Sequence, residues 1–282
     1  MKCNLIIPGF PKCGTTSLRD YLDLHPDIHM SPQKEPHYFS RDSVYERGSD
    51  WYEKLFESAN PKAHIFGEAS TSYAYDKKAL GRIKSDLPNV KLILILRDPV
   101  ERLLSHYRWL RSLGYEKKTL QDALNEESNA EYSADIFDRG TYKTYLRASS
   151  YSKYVPYILD EFGIERVLLI RSKDLLHNPL QEMNKCYDFL GLPRMNDINY
   201  IAANKTSDQQ KQNYWGLDYL AKFLPESIKK RINIRWYLRL LKRLGKSKAK
   251  SAIIESQEIL MIRNMLAEET GYFKQLFANK VS

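Results

Sequence analysis

Hydrophobic positions along the chain alternate between short continuous runs and longer stretches with helical spacing. The continuous runs of β-branched and aliphatic residues predict strands over residues 4–7, 64–66, 91–96 and 166–170. The segments between them carry helical periodicity, and this alternation predicts a parallel sheet. Residues 92–96 are apolar on both faces of a strand, as a central strand covered by helices on each side requires.

The helical patterns predict a first helix that opens at Thr15 and ends before His25 and Pro26. Further helices are predicted over residues 99–113, 120–127, 142–162, 180–190 and 253–277. The segment 196–216 is polar and irregular, which predicts a loop that can cover a ligand. These elements indicate a three-layer α/β/α architecture with a central parallel sheet and a helical C-terminal portion.

The composition is that of a globular protein with a sizeable core, since 43% of the 282 residues are hydrophobic. The sequence has no run of 18 apolar residues and begins without the apolar segment of a signal peptide, so we expect a soluble, cytoplasmic protein. The three cysteines are an odd number without metal-ligand spacing. They fit a reducing compartment and predict neither a disulfide framework nor a metal site.

The net charge of +9 is concentrated in one segment. Ten basic residues and no acidic one lie between Ser227 and Ser251, so the remainder of the chain is close to neutral. Such local basicity favours an anionic surface or substrate, whereas a nucleic-acid-binding domain would be basic across a whole face. Segment 228–250 therefore predicts peripheral contact with the inner surface of an anionic membrane, binding of an acidic substrate, or a solvated helix packed on the domain.

A glycine-containing loop, Pro8-Gly-Phe-Pro-Lys-Cys-Gly-Thr-Thr-Ser17, follows the first predicted strand. Its glycines have the spacing of a P-loop, but Thr15 stands where that loop has its lysine, and Lys12 precedes the second glycine. A strand, a loop and a helix in this order place backbone N–H groups and a helix N-terminus at the carboxyl edge of a sheet, where anions bind. A plain strand-to-helix turn is the alternative. A phosphate site is favoured because candidate ligands coincide there: Lys12, Cys13, Gly14, Thr15, Thr16 and Ser17.

A second candidate phosphate site follows the strand over 91–96. Arg97 ends that strand, Pro99 begins a helix, and Ser105 lies two turns along it. Arg97 and Ser105 can together bind a phosphate, and the alternative for Arg97 is an ion pair with Asp98 or Glu101. Two phosphate sites indicate a nucleotide phosphorylated at its 5′ and 3′ positions. A P-loop kinase is disfavoured, because its lysine and metal-binding carboxylate have no counterparts here.

Both motifs resemble those of the sulfotransferases that use 3′-phosphoadenosine 5′-phosphosulfate (PAPS). Pro11-Lys-Cys-Gly-Thr-Thr-Ser17 is similar to the 5′-phosphosulfate loop of this family, and Arg97-Asp-Pro-Val-Glu-Arg-Leu-Leu-Ser-His-Tyr107 is similar to its 3′-phosphate motif. Shorter similarities extend the resemblance over about residues 5–193. Among them, Lys34-Glu-Pro-His-Tyr-Phe39 looks most like the bacterial and Golgi enzymes that sulfate carbohydrates.

The resemblance implies the P-loop-like sulfotransferase fold in a single domain over 1–282. Residues 1–195 would form the cofactor-binding core, and 196–282 the covering loop, the basic helical segment and the closing helix. The implied reaction moves a sulfuryl group from PAPS to a hydroxyl of a carbohydrate or glycolipid, releases 3′-phosphoadenosine 5′-phosphate (PAP) and requires no metal. A lipid or small-metabolite acceptor is the alternative, and an inactive nucleotide-binding scaffold at a membrane surface is another.

The resemblance also implies roles for single residues. Sulfuryl transfer needs the acceptor proton removed and the charge on the leaving phosphate oxygen stabilised. Lys12 would reach the oxygen that bridges phosphate and sulfur, Glu35 would be the general base and His37 would support it. Tyr151 falls close to the cofactor. The structural alternatives are an ion pair of Glu35 with Lys34, and core positions for His37 and Tyr151.

The acceptor side differs from that of the Golgi enzymes. Glu68 and Ser70 are expected to face the acceptor, with a structural loop as the alternative. Ala69 stands where those enzymes have a lysine, and Ser40 where an acidic residue is expected. Their disulfide-closed loop over the adenosine also lacks its cysteines here. A different acceptor pocket follows.

Overall fold

A computed structural model describes residues 2–129, 143–198 and 254–278. Its strands are β1 Leu5–Ile7, β2 Ile28–Met30, β3 Ile65–Ala69, β4 Lys91–Leu96 and β5 Val167–Arg171. They form one sheet in the order β2-β3-β1-β4-β5, and every pairing is parallel. The carboxyl ends of these strands therefore meet at a single edge of the sheet.

The helices within the described ranges lie between and after these strands in the chain. In order they are α1 Thr15–Leu22, α2 Asp42–Tyr45, α3 Gly48–Glu53, α4 Lys77–Asp86, α5 Pro99–Ser112, α6 Leu120–Ser128, α7 Tyr151–Phe162, α8 Ser172–His177, α9 Pro179–Leu190, α10 Ser256–Met265 and α11 Ala267–Ala278. Asp98 caps α5, because its side chain accepts a hydrogen bond from the N–H of Glu101, and Pro99 occupies the first turn.

The sheet lies in the centre of the core, with helices on its flanks. Residues 92–96 of β4 have no exposed surface, as do all three residues of β1. This confirms the predicted three-layer α/β architecture and the prediction that 92–96 is a central strand. All three cysteines are free and buried in this core.

Several element boundaries differ from prediction. β2 was missed because it is three residues long and the partly exposed His29 interrupts its apolar pattern. The C-terminal helix predicted over 253–277 is two helices, since Leu266 leaves the helical conformation with φ −105° and ψ 21°.

The helix predicted over 142–162 was wrong in its first half. The chain becomes helical only at Tyr151, and 147–149 form a single 3-10 turn. The Glu127 carboxylate accepts hydrogen bonds from the N–H groups of Leu146 and Arg147 at 2.7 and 2.9 Å. These bonds to another helix take the place of bonds within a helix. Tertiary contacts thus override the local helical pattern.

The described residues before 200 and after 250 belong to one compact unit. The predicted basic segment 228–250, and all of the predicted covering loop beyond residue 198, lie outside the described residues. Within the described helices, none combines the length and apolarity needed to cross a membrane.

Candidate active site

The loop after β1 runs along the carboxyl edge of the sheet and leads into α1. Gly9 has φ 153°, and a β-carbon there would lie 2.8 Å from the carbonyl oxygen of Thr71. Only glycine therefore lets this loop pack against the turn that follows β3. Gly14, with φ 102°, precedes α1 and has no side chain to cap it, so the N–H groups of the first turn can serve an anion.

Lys12 lies in this loop with the left-handed backbone angle φ 67°. Its ammonium lies 4.9 Å from the centroid of the Trp109 ring, a cation–π contact. Burial in the first place, and then the positive charges of Lys34 and Arg97, lower the pKa of Lys12 to about 8. Positive charge thus accumulates around a partly buried lysine, as at an anion site.

Lys34 is a member of this cationic group that the sequence interpretation did not assign. Its ammonium donates a hydrogen bond to the hydroxyl oxygen of Thr16, the second residue of α1. The ion pair with Glu35 that the sequence left open is absent from the described contacts of Lys34. The sequence signal for this residue was its position in the motif Lys34–Phe39.

Arg97 immediately precedes the N-cap residue Asp98 of α5, and Ser105 lies in the second turn of that helix. The Arg97 guanidinium donates from Nε to Glu101 at 3.1 Å, which is one of the ion pairs that the sequence left open. The Arg97 side chain is 34% exposed and that of Glu101 is 63% exposed. Since exposed pairs of this kind contribute only about 0–1 kcal/mol, an anion can compete for Arg97 at little cost. Ser105 is partly buried, one turn beyond Glu101.

Tyr151 connects the two loops from the protein interior. Its hydroxyl donates to the carbonyl oxygen of Arg97 at 3.0 Å and lies 3.4 Å from Sγ of Cys13. Both side chains are fully buried, and burial raises the pKa of each. Tyr151 and the Cys13 thiol therefore fix the spacing of the loops, and the structure gives neither side chain a surface that faces a ligand.

Arg102, like Lys34, is a cationic residue to which the sequence interpretation did not assign a role. Its guanidinium has no exposed surface and donates to the carbonyl oxygens of Pro11 and Tyr145 and, at 2.7 Å, to the hydroxyl of Ser149. All these acceptors are neutral. A buried cation without a carboxylate contact among the described residues adds positive potential beneath the loop.

Glu35 and His37 lie beside the carboxyl end of β3. Both have left-handed backbone angles, φ 53° and 54°. One Glu35 carboxylate oxygen accepts from the N–H of Thr71 at 2.8 Å and from its hydroxyl at 3.2 Å. The same oxygen lies 3.7 Å from Nε2 of His37. Because Thr71 also packs on Gly9, one residue links Glu35 to the loop after β1.

Burial moves the pKa of Glu35 and that of His37 in opposite directions. Burial raises the pKa of Glu35, which makes its carboxylate a stronger base. Burial, with the positive charge of Arg41, lowers the pKa of His37 to about 3, so its imidazole is neutral at physiological pH. Nδ1 of His37 lies 3.1 Å from the hydroxyl of Ser72, which itself lies 3.0 Å from that of Ser40. His37 is therefore a neutral, hydrogen-bonded group beside Glu35.

The expected exposure of Glu68 and Ser70 to an acceptor was wrong. Glu68 is 1% exposed and Ser70 is fully buried. The physical reason is that β3 continues through Ala69, beyond its predicted end at 66, so both side chains belong to the packed interior. Ser70 donates to Glu68 at 2.9 Å, and Tyr52 donates to Glu68 at 3.4 Å.

The structure thus brings most of the predicted residues to one edge of the sheet. The loop residues of 12–17, Arg97 with Ser105, and Glu35 with His37 follow β1, β4 and β2, respectively. Such an edge offers cations and N–H groups to an anion, and a raised-pKa carboxylate to a proton.

Comparison with known proteins gives consistent matches. The model of the family described as the sulfotransferase domain matches residues 2–231. The chain is 30% identical over 201 residues to human heparan sulfate glucosamine 3-O-sulfotransferase 3B1, covering 71% of this chain and 49% of that protein. It is 30% identical over 255 residues to human carbohydrate sulfotransferase 15, covering 71% and 46% of the two chains. The chain therefore spans about half the length of these curated relatives.

A shorter match is closer in sequence. Over 114 residues the chain is 42% identical to the membrane-associated sulfotransferase kil1 of Dictyostelium discoideum, covering 38% of this chain and 24% of that one. Among solved structures, a sulfotransferase from Alicyclobacillus acidocaldarius matches with a TM-score of 0.62 and 29% identity, covering 74% of this chain and 88% of that chain. The predicted resemblance and fold are confirmed.

Proposed function

The chain belongs to the sulfotransferase domain family, and from that premise we propose that it transfers a sulfuryl group from PAPS to a hydroxyl of a carbohydrate or glycolipid. The observation that carries the proposal is the accumulation of cations at the loop after β1. The pKa of Lys12 falls to about 8 through burial and through the neighbouring charges of Lys34, Arg97 and Arg102. A bound polyanion would relieve this repulsion, and PAPS has phosphate groups at both ends of its ribose.

The two loops would divide the donor between them. The N–H groups and hydroxyls of Gly14, Thr15, Thr16 and Ser17 would hold the 5′ end, and Arg97 with Ser105 would hold the 3′-phosphate. Arg102 and Tyr151 would keep the two loops at a fixed spacing from below, because they bond to Pro11 and to Arg97, respectively.

The proton and charge changes of the reaction fall to Glu35 and Lys12. PAPS, when bound, supplies an activated sulfuryl group whose leaving group is a phosphate. Glu35 would take the acceptor proton, and its raised pKa favours that task once the carboxylate is ionised. Lys12 would donate to the departing oxygen, and with a pKa of about 8 it is mostly protonated at pH 7.

The nature of the acceptor is a further part of the proposal. Carbohydrate acceptors are supported by the names of the relatives, which act on heparan sulfate or carbohydrate. Ala69 and Ser40 are uncharged, and they stand at two positions where charged residues are expected in the glycan enzymes. That observation favours a less charged acceptor than a polysulfated polymer, and it keeps a lipid or small-metabolite hydroxyl as the second candidate.

Peripheral contact with the cytoplasmic surface of an anionic membrane, through 228–250, is the location we propose. Its support is the ten basic residues of this segment and one relative that is named membrane-associated.

Thermal shift tests the choice of donor. PAP at about 100 times its Kd should stabilise the protein by about 2.7 kcal/mol, which for a chain of this size raises Tm by roughly 5 °C. ATP with magnesium should have no such effect, because it lacks a 3′-phosphate. Stabilisation by ATP with magnesium but not by PAP would favour a P-loop kinase over a sulfotransferase. Transfer of labelled sulfate from PAPS to a panel of desulfated heparan and chondroitin oligosaccharides and glycolipids then tests the reaction.

A further inference from the structure

Glu35 and His37 adopt a backbone conformation that needs external support. Non-glycine residues with φ near +53° are uncommon, and such strain persists only where the surroundings fix it. Two backbone hydrogen bonds hold this segment to the end of β3. The N–H of Glu35 donates to the carbonyl oxygen of Ala69, and the N–H of His37 donates to the hydroxyl of Ser70, both at 3.1 Å.

The Ser70 hydroxyl can accept from His37 because its own proton is engaged elsewhere. It donates to Oε2 of Glu68 at 2.9 Å, and a hydroxyl has a single proton. This bond orients the oxygen lone pairs of Ser70 toward the N–H of His37. Glu68 is held in turn by Tyr52, whose hydroxyl donates to Oε1 at 3.4 Å. A chain of hydrogen bonds therefore runs from the core to the backbone of His37.

The environment of Glu68 favours a neutral carboxyl group. Burial in the first place, together with the negative charge of Glu35, raises the pKa of Glu68 to about 8. The groups around it are Tyr52, Tyr73, Cys3 and Ser70, and none is a cation. A charged Glu68 would also oppose ionisation of Glu35, so a neutral Glu68 leaves Glu35 free to act as a base.

We propose that Glu68 and Ser70 are positioning residues that hold His37, and through it Glu35, in the left-handed conformation that the transfer reaction needs. The inference rests on the proposed function, since it assigns Glu35 as the base. Neither residue contacts the acceptor, because both are buried. Removal of either side chain should displace Glu35 and leave the loop after β1 unchanged.

The kinetic test compares Glu68→Gln, Glu68→Ala and Ser70→Ala with the parent, using PAPS and the panel oligosaccharide that the parent sulfates fastest. Glutamine has the shape and hydrogen-bonding capacity of a protonated glutamate, so Glu68→Gln should keep kcat within about threefold of the parent. Glu68→Ala and Ser70→Ala should lower kcat roughly 10- to 100-fold, because a base displaced by about 1 Å loses that much. KM for PAPS and the Kd of PAP should stay within about twofold.

A second readout needs no donor or acceptor. The parent should show an imidazole proton resonance that does not titrate between pH 5 and 8 and that disappears in His37→Gln. In Ser70→Ala and Glu68→Ala this resonance should titrate nearer pH 6.5, since the ring loses its buried position, whereas in Glu68→Gln it should stay fixed. A merely stabilising role of Glu68 would move Tm without moving this titration.

Two kinetic results would overturn the inference. If Ser70→Ala and Glu68→Ala keep the parental kcat, the hydrogen-bond chain has no catalytic role. If Glu68→Gln is as inactive as Glu68→Ala, the charge of Glu68 is needed and it acts directly. Should Glu68→Ala fail to fold, Ser70→Ala carries the test, since it removes one oxygen atom. A parent without sulfate transfer would refute the proposed function, and the histidine titration would still test the positioning of His37.

Discussion

Nucleotide binding should be coupled to protonation of Lys12. In the free protein the pKa of Lys12 is lowered from 10.5 to about 8, chiefly by burial and then by the charges of Lys34, Arg97 and Arg102. A bound bisphosphate nucleotide would bring negative charge to these cations and return the pKa toward its ordinary value. The ammonium form is therefore favoured by binding, and protons are taken up.

The magnitude follows from the two pKa values. At pH 8.5 a lysine with pKa about 8 is about one-quarter protonated, and one with pKa near 10.5 is almost fully protonated. Binding of PAP should then take up about 0.75 proton per nucleotide. At pH 7 the uptake should fall to about 0.1. By linkage, the Kd of PAP should rise about tenfold between pH 7 and pH 9.

Calorimetry in two buffers of different ionisation enthalpy measures this uptake directly. At pH 8.5 the phosphates of PAP are fully ionised and contribute no proton of their own. Lys12→Met should abolish the uptake, whereas Lys62→Met is a matched control, since Lys62 is exposed and precedes β3 at the opposite edge of the sheet. Uptake below about 0.2 proton in the parent, or equal uptake in Lys12→Met, would refute the assignment of Lys12 to the donor site.

Four further outcomes are expected. Glu35→Gln should lower sulfate transfer at least about 100-fold while the Kd of PAP stays within about twofold, and a rate near that of the parent would place the base elsewhere. Arg97→Met should weaken PAP roughly 10-fold or more but leave adenosine 5′-phosphosulfate unaffected, since that analogue lacks the 3′-phosphate; equal losses would contradict the 3′ assignment. Trp109→Leu should lower the pH midpoint of proton uptake by about half a unit, because the ring stabilises the Lys12 ammonium. Co-sedimentation with anionic vesicles, lost on charge reversal within 228–250, is expected of a membrane-binding segment, and no binding by the parent would remove that hypothesis.

The fold could be predicted from the sequence where local pattern and tertiary packing agree. The apolar run of β4 and the proline at the start of α5 have this property, and both elements were predicted closely. Prediction failed where long-range bonds decide the structure. The stretch before Tyr151 has helical spacing, but Glu127 and Arg102 bind its backbone groups and keep it irregular.

The candidate site shows the same division. Glycine spacing, Lys12 and Arg97 are visible in sequence because they follow strands at one sheet edge. Burial is not visible there, which is why Glu68 was expected at the acceptor and Arg102 was passed over. The hydrogen bond between Lys34 and Thr16 joins residues far apart in sequence, so only the folded chain reveals it.

The measurement that tests the central claim most directly is transfer of labelled sulfate from PAPS to the acceptor panel, with the product identified. The parent and Lys62→Met should both transfer sulfate to an acceptor hydroxyl and release PAP, and the two proteins should do so at the same rate. Lys12→Met and Glu35→Gln should form neither above background while remaining folded. A parent that binds PAP but transfers no sulfate to any carbohydrate, lipid or small-molecule hydroxyl would contradict the account and favour a nucleotide-binding scaffold.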